Sequence, residues 1–346
     1  MHGDRLPSGR RGTDETNSIA ARGRARSILR HPVVITQAFI LGAGLGMRLR
    51  PLTEELPKPL IPIFQKPLIT FVLDHLIATG VRSFVINTHH RPETFRGFFS
   101  GGNYRDCGVQ LVHEPEILGT GGGIKNVESF LHEEHFISYS GDLLTDIELG
   151  PLLDEHFRAR NDVTLALRET EHGSDVALEG NRVIDMVNRY GHRGRYDFAG
   201  VAVWTRAVFE RIPPGQPVSY IPILAEWIGD GGRIGGVVLN ERKWFNIGSR
   251  KEYLAAHRLI LEEQWQPDYV KLPGWPIRVA HDAEVDPSAT LSGFYSIGAG
   301  CHVGARAVVE NTILWPGAQI ASRAYLRNCI VRSKRKAEGQ LSDTDI

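Results

Sequence analysis

An apolar residue recurs at every sixth position in the last quarter of this chain, and few folds accommodate that spacing. The residues concerned are Val285, Leu291, Ile297, Val303 and Val309, and after one slip the series continues at Leu314, Ile320 and Leu326. Such hexapeptide repeats form a parallel β-helix, because each repeat supplies one face of a coil and each coil stacks on its neighbour. We therefore predict a short β-helix at 277–332, after a linker at 266–276 and before a disordered tail at 333–346.

The longer stretch before the repeats alternates short β-branched runs with amphipathic runs. Predicted strands are Gln37–Leu41, Ser83–Asn87, Val109–Val112, Phe136–Tyr139, Val163–Leu167, Arg182–Val187 and Phe198–Trp204, and later helices are predicted at Ser219–Ile228 and Ser249–Glu262. Between the first two strands, Pro67 opens a predicted helix and Gly80 ends it. Strands separated by helices are typical of α/β folds. We predict a Rossmann-like, mixed and mostly parallel sheet for residues 33–265.

Composition excludes several classes of protein. The 346 residues carry 40 Lys and Arg against 40 Asp and Glu, so no net field favours nucleic acid or an anionic membrane as a partner. The three cysteines form neither a C-x-x-C pair nor a disulfide framework, which favours a reducing cytoplasm. We expect no membrane span, because no run of about 18 apolar residues occurs. Residues 1–32 are rich in arginine and lack the apolar run of a signal peptide, so we expect a disordered basic tail there.

A glycine-rich segment follows the first predicted strand. It reads Gly42-Ala-Gly-Leu-Gly46 and is followed by Arg48. Glycines allow backbone amides to approach phosphate oxygens closely. The glycine spacing fits neither the G-x-G-x-x-G pattern of dinucleotide-binding proteins nor a P-loop, which needs a Lys directly after its last glycine. Lys58 follows between two prolines that stiffen the backbone around it, so the sequence predicts a phosphate site with a lysine held beside it.

The segments Gly42–Thr53 and Pro57–Leu60 together resemble the opening of the sugar nucleotidyltransferase family, and the resemblance extends over roughly Gln37–Glu262. It implies transfer of a nucleoside monophosphate from a nucleoside triphosphate to a sugar 1-phosphate, with release of pyrophosphate. The repeats are similar to those of mannose-1-phosphate guanylyltransferases, which implies a left-handed β-helix. By this resemblance Arg48 binds the triphosphate and Lys58 contacts the reacting phosphates. The implied nucleotide-binding residues are Leu41, Gly42, Ala43 and Gly44.

A second glycine-rich segment, Glu114–Gly123, ends in glycines that open a predicted helix through Ile124–Phe130. Helix amino termini favour anions. A similar Leu-Gly-Thr-Gly-Gly segment of the family lies against the nucleobase, which implies base and ribose contacts for Glu114, Gly119 and Thr120. A carboxylate can accept hydrogen bonds from the N1–H and amino groups of guanine, so Glu114 favours GTP, while UTP, dTTP, CTP and ATP stay open.

Asp142 follows the predicted strand Phe136–Tyr139, and α/β sheets bind ligands at the carboxyl ends of their strands. Mg²⁺ prefers hard oxygen ligands, so we predict that Asp142 binds magnesium and is catalytic. The family supplies a second metal ligand from a Trp-x-Asp-(Ile/Val)-Gly segment. In this chain Trp244–Gly248 places Asn246 at the position of that aspartate, which keeps an oxygen ligand but removes one charge.

The resemblance is weaker in the half of the domain that would bind the sugar. Relatives often carry Glu-Lys-Pro where this chain has Val187-Asn-Arg-Tyr190, so Arg189 keeps a cation for the sugar phosphate and Asn188 keeps a hydrogen-bonding group. Asp197-Phe-Ala-Gly200 resembles the family's Asn-Ala-Gly, with Phe198 in place of the asparagine. The implied sugar-binding residues are Asn188, Arg189 and Gly200. The sugar stays open among mannose and related hexoses or heptoses.

Three other functions fit parts of the sequence. Asn246 and the altered sugar segment fit a regulatory homologue that binds a nucleotide sugar with little turnover. A uridylyltransferase or thymidylyltransferase of the same family carries similar segments. An acyltransferase β-helix is disfavoured, because the repeats span fewer than three coils and offer His302 alone as a nearby base. We expect the β-helix to support a homo-oligomer instead.

Overall fold

The computed structural model describes residues 34–169 and 175–346. The predicted basic tail at 1–32 lies outside the described residues. Among those described, no helix is both long and apolar enough to cross a membrane. The strands that precede the repeats are β1 (Gln37–Leu41), β2 (Pro62–Ile63), β3 (Lys66–Pro67), β4 (Ser83–Thr88), β5 (Asn103–Tyr104), β6 (Cys107–His113), β7 (His135–Ser140), β8 (Leu144–Thr145), β9 (Val163–Glu169), β10 (Val176–Glu179), β11 (Arg182–Met186), β12 (Tyr196–Thr205), β13 (Ile234–Val238) and β14 (Trp244–Phe245). The helices are α1 (Leu52–Glu55), α2 (Leu68–Thr79), α3 (Pro92–Phe98), α4 (Gly119–Asn126), α5 (Leu149–Ala159), α6 (Val208–Arg211), α7 (Tyr220–Gly229) and α8 (Arg250–Glu262).

A mixed sheet forms the frame of the larger part of the molecule. Within the described residues it has ten strands, in the order β10-β11-β13-β9-β12-β7-β1-β4-β6-β5. The central strands β7, β1, β4 and β6 are parallel, whereas β12 runs antiparallel between β7 and β9. Central parallel strands are buried on both faces, and Ala38, Phe39 and Ile40 of β1 are fully buried. The predicted mixed, mostly parallel sheet is confirmed.

The helix α2 begins and ends where the sequence predicts. Pro67 precedes its first residue and supplies a fixed φ of −58°, and Gly80 follows its last turn at φ +116°. Leu73 and Leu76 pack into the core beneath the sheet. Phe71 lies in a second core that contains residues from the C-terminal repeats. The helix therefore joins the sheet to the repeats.

Beyond α8 the chain winds into stacked parallel strands. These are β15 (Glu284–Val285), β16 (Thr290–Ile297), β17 (His302–Val303), β18 (Val308–Leu314), β19 (Gln319–Ile320), β20 (Tyr325–Arg327), β21 (Ile330–Val331), β22 (Lys336–Ala337) and β23 (Gln340–Ser342). Val285 pairs with Val303, 18 residues later, and Val303 pairs with Ile320, 17 residues later. A coil therefore takes three of the predicted repeats. The arrangement is consistent with a parallel β-helix, whose handedness stays a prediction.

The first coil has six residues on each face, and the next is one residue shorter, because the spacing of inward residues falls to five between Val309 and Leu314. The register of β16 with β18 therefore shifts between Ser292 and Tyr295, and β16 bulges there. Phe294, inside this bulge, is buried in the same core as Tyr253 and Trp315. The mismatch in length thus coincides with an aromatic contact between the coil and the sheet domain.

The structure contradicts the predicted disordered tail at 333–346. Lys336–Ala337 pairs in parallel with Gln319–Ile320, and Gln340–Ser342 pairs with Tyr325–Arg327. Ala337 takes the inward position one coil after Ile320 and is buried. The prediction is wrong because a single alanine beside a run of basic residues gives almost no apolar signal.

The segment predicted as a linker, 266–276, is packed into the core that the sheet domain shares with the coils. Tyr269 and Trp275 in this segment are buried. Trp275 meets Phe71 edge to face, with ring centroids 5.3 Å apart. Across the same core, the indole N–H of Trp315 donates to the hydroxyl of Tyr253 at 3.1 Å. The segment is therefore a packed interface between the two parts of the chain.

His257 on α8 holds the turn between β2 and β3. Its Nδ1 donates to the carbonyl oxygen of Tyr253 at 3.0 Å, and its Nε2 accepts from the backbone N–H of Phe64 at 3.4 Å. These partners fit the neutral ring, and burial lowers the pKa of His257 to about 4. In the same turn, the amide of Gln65 donates to Ser296 Oγ at 3.1 Å. The turn therefore connects α8 to the first coil.

Candidate active site

A cavity of about 430 Å³ lies at the carboxyl ends of β1, β4 and β7. Of the residues predicted from sequence, its wall contains Leu41, Ala43, Gly44, Arg48, Lys58, Glu114, Gly119, Thr120 and Asp142. The wall also contains Asn87, Ile117, Ser140 and Gly248, which the sequence did not single out. Open α/β sheets bind ligands at this edge, where the strands point their carboxyl ends. The first glycine-rich loop, the second glycine-rich loop and Asp142 therefore meet in one place.

Gly42 does not line the cavity but packs against Asn87, beneath the first glycine-rich loop. Its N–H donates to Asn87 Oδ1 at 2.7 Å. A Cβ atom at this position would lie 2.6 Å from the backbone oxygen of Asn87, so only glycine fits. Asn87 lies near the end of β4, next to β1. Its position at the carboxyl end of a predicted strand is the signal that could have identified it as a site residue. Ala43 and Gly44, which follow, face the cavity.

Glu114 connects the two glycine-rich loops. The residue is completely buried. Its Oε1 accepts from Asn87 Nδ2 at 2.7 Å, and its Oε2 accepts from the backbone N–H of Leu118 at 3.2 Å. A buried carboxylate needs such donors. Because both oxygens already have protein partners, Glu114 holds the loops in place through Asn87 and Leu118.

The second glycine-rich segment is packed, and its helix α4 already begins at Gly119. The N–H groups of Gly121 and Gly122 donate to the carbonyl oxygen of Val218 at 2.8 and 3.1 Å. A Cβ atom at Gly122 would lie 2.6 Å from the carbonyl oxygen of Gln216. Thr120 Oγ1 accepts from the backbone N–H of Tyr220 at 3.2 Å. The glycines therefore allow α4 to approach the chain before α7 closely.

Lys58 and Asp142 form an ion pair in the wall of the cavity. Lys58 Nζ lies 2.5 Å from Asp142 Oδ2, and the two side chains are 16% and 35% exposed. The lysine lies in a 3₁₀ turn, Lys58–Leu60, that begins directly after a proline. The aspartate follows the end of β7. A cation and an anion thus face the same space, and both stay accessible to a ligand.

Arg48 and Asn246 approach each other beside Gly248. A Cβ atom built on Gly248 would lie 2.7 Å from Arg48 Nη2 and 3.1 Å from Asn246 Oδ1. The amide Nδ2 of Asn246 donates to Glu252 Oε1 at 2.6 Å. Asn246 is exposed and adjoins the cavity through Gly248 rather than forming its wall. In the described residues, no three His, Cys, Asp or Glu side chains converge as a metal site.

The residues predicted to bind the sugar do not come together. Asn188 and Arg189 are exposed and absent from the cavity wall. Arg189 Nη2 lies 3.3 Å from Glu226 Oε1 on α7. Gly200 is closer to the cavity, because a Cβ atom there would lie 3.1 Å from Ser140 Oγ. Phe198, which stands where relatives carry asparagine, packs against Tyr220 with ring centroids 5.7 Å apart.

Comparisons with known proteins agree with this arrangement. The profile of the family described as nucleotidyl transferase matches residues 37–263. A mannose-1-phosphate guanylyltransferase of Mycobacterium tuberculosis is 30% identical over 82% of this chain and 80% of that protein. A UTP–glucose-1-phosphate uridylyltransferase of Synechocystis is 25% identical over 89% of this chain and 92% of that protein.

A solved structure supports the fold. The crystal structure of HddC from Yersinia pseudotuberculosis superposes with a TM-score of 0.54 at 23% identity, and the match covers 64% of this chain and 98% of that chain. The matched profile spans the sheet domain that carries both glycine-rich loops and Asp142. The chain therefore belongs to the nucleotidyl transferase family, among the sugar-1-phosphate nucleotidyltransferases.

Proposed function

We propose that the protein transfers guanylyl groups from GTP to mannose 1-phosphate or to a related hexose or heptose 1-phosphate. The observation that carries the proposal is the meeting of Lys58 and Asp142 in a cavity whose other walls come from two glycine-rich loops. Backbone amides suit phosphate oxygens, and the lysine supplies positive charge. Arg48, on the same wall, adds a second cation.

The chemistry needs positioning more than acid or base catalysis. An oxygen of the sugar phosphate attacks the α-phosphorus in line, the bond from that phosphorus to the bridging oxygen breaks, and pyrophosphate leaves. A phosphate monoester is already an adequate nucleophile, so no residue has to remove a proton. The protein orients two anions and neutralises their repulsion, which is the usual task in phosphoryl transfer. Arg48 and Lys58 take this role.

The donor set near the cavity fits a magnesium ion. Asp142 offers a carboxylate and Asn246 an amide oxygen, both hard ligands, and Mg²⁺ in proteins usually takes one or two such groups with phosphates and water. Bound there, magnesium would neutralise charge on the triphosphate. We assign Asp142 and Asn246 as its protein ligands.

The choice of GTP is supported by the mycobacterial relative, which is named as a guanylyltransferase. Glu114 does not decide it, because both carboxylate oxygens accept hydrogen bonds from the protein. The cyanobacterial relative, named as a uridylyltransferase, favours UTP and glucose 1-phosphate as a second candidate pair.

A matrix of nucleoside triphosphates against sugar 1-phosphates tests the proposal with the full-length protein and Mg²⁺. We expect pyrophosphate and a nucleotide sugar in equal amounts, fastest with GTP and a mannose-type sugar. Faster turnover with UTP and glucose 1-phosphate would establish the second candidate. Tight binding of a nucleotide sugar without pyrophosphate release from any pair would contradict the proposal and indicate a regulatory homologue. Asn246, which removes one charge from the metal site, is the residue that favours this alternative.

A further inference from the structure

Arg168 is a cation near the cavity to which neither the sequence nor the proposed mechanism gives a role. It is the penultimate residue of β9, and it pairs across the sheet with Asp197 of β12. Because β12 is antiparallel to both β9 and β7, β9 runs parallel to β7 and β1. Arg168 therefore lies towards the same carboxyl edge of the sheet as Asp142.

The side chain of Arg168 is held in one orientation by an indole ring. Its guanidinium carbon lies 4.7 Å from the ring centroid of Trp244. Its Nε is buried and has no hydrogen-bond partner. Burial lowers the pKa of Arg168, and the charge of Asp197 acts in the opposite direction. A buried donor without a partner is uncommon in folded proteins and calls for a ligand or another explanation.

Three contacts connect Trp244, on which this guanidinium stacks, with residues next to the cavity wall. The indole N–H of Trp244 donates to the carbonyl oxygen of Ala199 at 3.2 Å. The next residue, Gly200, adjoins Ser140, which forms part of the cavity wall. On its other side, Trp244 pairs with Thr145, three residues after Asp142. Trp244, on which Arg168 stacks, thus contacts residues that lie next to the Ser140–Asp142 part of the wall, although neither Arg168 nor Trp244 lines the cavity itself.

Three other cations of the described residues near the sheet edge already have a protein partner or a proposed role. Arg189, which the resemblance assigned to the sugar phosphate, faces Glu226 on α7. Lys58 pairs with Asp142, and Arg48 lies beside Asn246 and Gly248. The sugar phosphate still needs a positive partner close to Gly200. Among the described residues, Arg168 is a cation that approaches this region through Trp244.

We propose that Arg168 binds the phosphate of the sugar 1-phosphate, with Trp244 fixing the plane of its guanidinium. This inference rests on the proposed function. A guanidinium held flat on an aromatic ring can present two N–H groups to a phosphate, which a lysine cannot do. The ligand class is a sugar phosphate monoester, and the nucleotide is bound elsewhere in the cavity.

The test compares Arg168→Gln with Arg189→Gln, at the cation that the resemblance assigned to the same phosphate, and with Arg258→Gln, exposed on α8, as the control. Initial rates are measured with the sugar phosphate and the nucleotide varied separately, using the best substrate pair of the wild type. We expect Arg168→Gln to raise KM for the sugar phosphate by about 10- to 100-fold, the range for a lost hydrogen bond to a charged group, with KM for the nucleotide unchanged. Arg258→Gln should keep both constants close to those of the wild type, and Arg189→Gln should raise KM for the sugar phosphate less than Arg168→Gln does.

Arg168→Lys separates binding from folding. It keeps the charge and the aliphatic stem on Trp244, so we expect a wild-type melting temperature with an intermediate KM for the sugar phosphate. The opposite pattern, in which Arg189→Gln impairs sugar phosphate use and the Arg168 variants do not, overturns the assignment. A wild type that turns over no substrate pair refutes the proposed function itself, whereas an active wild type with unaffected Arg168 variants refutes this inference alone.

Discussion

The roles of Lys58 and Asp142 can be predicted from the sequence, but the contact between them cannot. They are 84 positions apart, and the structure brings their charged atoms to 2.5 Å. Each comes from a rigid place, a proline-flanked turn and the end of a buried strand. Their proximity means that removing one charge changes the surroundings of the other.

Asp142→Asn preserves the shape of the side chain and removes its charge. Because Asp142 is the one carboxylate among the proposed metal ligands, we expect the magnesium-dependent rate of pyrophosphate release to fall at least about 100-fold. Binding of Mn²⁺ in the presence of nucleotide, measured by electron paramagnetic resonance, should weaken in parallel. Asp106→Asn, at an exposed turn before β6, is the control. An undiminished rate in Asp142→Asn would remove this residue from the mechanism.

The site residues that could be predicted from sequence are those with unusual neighbours. Glycine-rich loops and a lysine between prolines are rare patterns with a physical meaning. Asn87 and Arg168 carry no such signal, because an amide or an arginine near the end of a strand is ordinary until the neighbouring strands are known. For Arg189, the sequence predicts a cation for the sugar phosphate but cannot show that the residue lies outside the cavity wall and faces Glu226 on α7.

At the scale of elements, Glu252 takes part both in the capping of α8 and in a contact with the proposed metal ligand Asn246. Ser249 Oγ accepts from the N–H of Glu252 at 3.3 Å, and Glu252 Oε2 accepts from the N–H of Gly248 at 3.0 Å. This resembles a capping box, except that the carboxylate accepts from the residue before the N-cap. The other oxygen of Glu252 accepts from Nδ2 of Asn246, which leaves the carbonyl oxygen of that amide on the side of Gly248 and Arg48. Glu252 therefore orients Asn246.

Replacing Asn246 by the aspartate that relatives carry should not improve metal binding while Glu252 is present. Asn246→Asp places a second carboxylate where an amide now contacts Glu252 Oε1, so we expect weaker Mn²⁺ binding and a less stable α8 from the repulsion. Glu252→Gln alone should also weaken Mn²⁺ binding, because the amide loses its charged acceptor.

The double variant Asn246→Asp with Glu252→Gln removes the repulsion and should recover Mn²⁺ affinity. Such a rescue measures coupling between the two side chains directly. Glu262→Gln, exposed at the other end of α8, is the control. Tighter Mn²⁺ binding by Asn246→Asp alone would show that Glu252 does not orient the ligand.

Elements differ in how far their sequences reveal them. Both ends of α2 follow from Pro67 and Gly80, because each residue acts through its own backbone. The last coil was not predicted, because its neighbouring residues show no apolar pattern. Ala337 is buried since it stacks on Ile320 of the coil before it. Repeat proteins share this property, since each unit is stabilised by its neighbours.

At the scale of the molecule, the coils contact α1, the helix that directly follows the turn with Arg48. The backbone N–H of Ser333 donates to Glu55 Oε1 at 3.2 Å. Arg250, the first residue of α8, donates from Nε to Asp345 Oδ1 at 2.6 Å and from Nη2 to the carbonyl oxygen of Thr344 at 3.3 Å. The sheet domain and the coils therefore share polar contacts as well as an aromatic core.

Asp345→Asn tests whether the two parts unfold together. The variant removes the charge that faces Arg250, and we expect a loss of about 1.5–3 kcal/mol in the free energy of unfolding, the range for a hydrogen bond to a charged group. Urea unfolding should stay a single transition when followed by tryptophan fluorescence and by pyrophosphate release. Asp343→Asn, at an exposed position two residues earlier, is the control. Separate transitions for the two signals would contradict a shared core.

The bulge at Phe294 leads to an expectation for other proteins with hexapeptide repeats. The coil with Phe294 has six residues on each face, and the next coil is one residue shorter. The longer strand bulges where the two lengths differ, and this bulge packs Phe294 against the sheet domain. In other proteins with these repeats, we expect a lone change in spacing to mark the corner against which an adjoining domain is anchored.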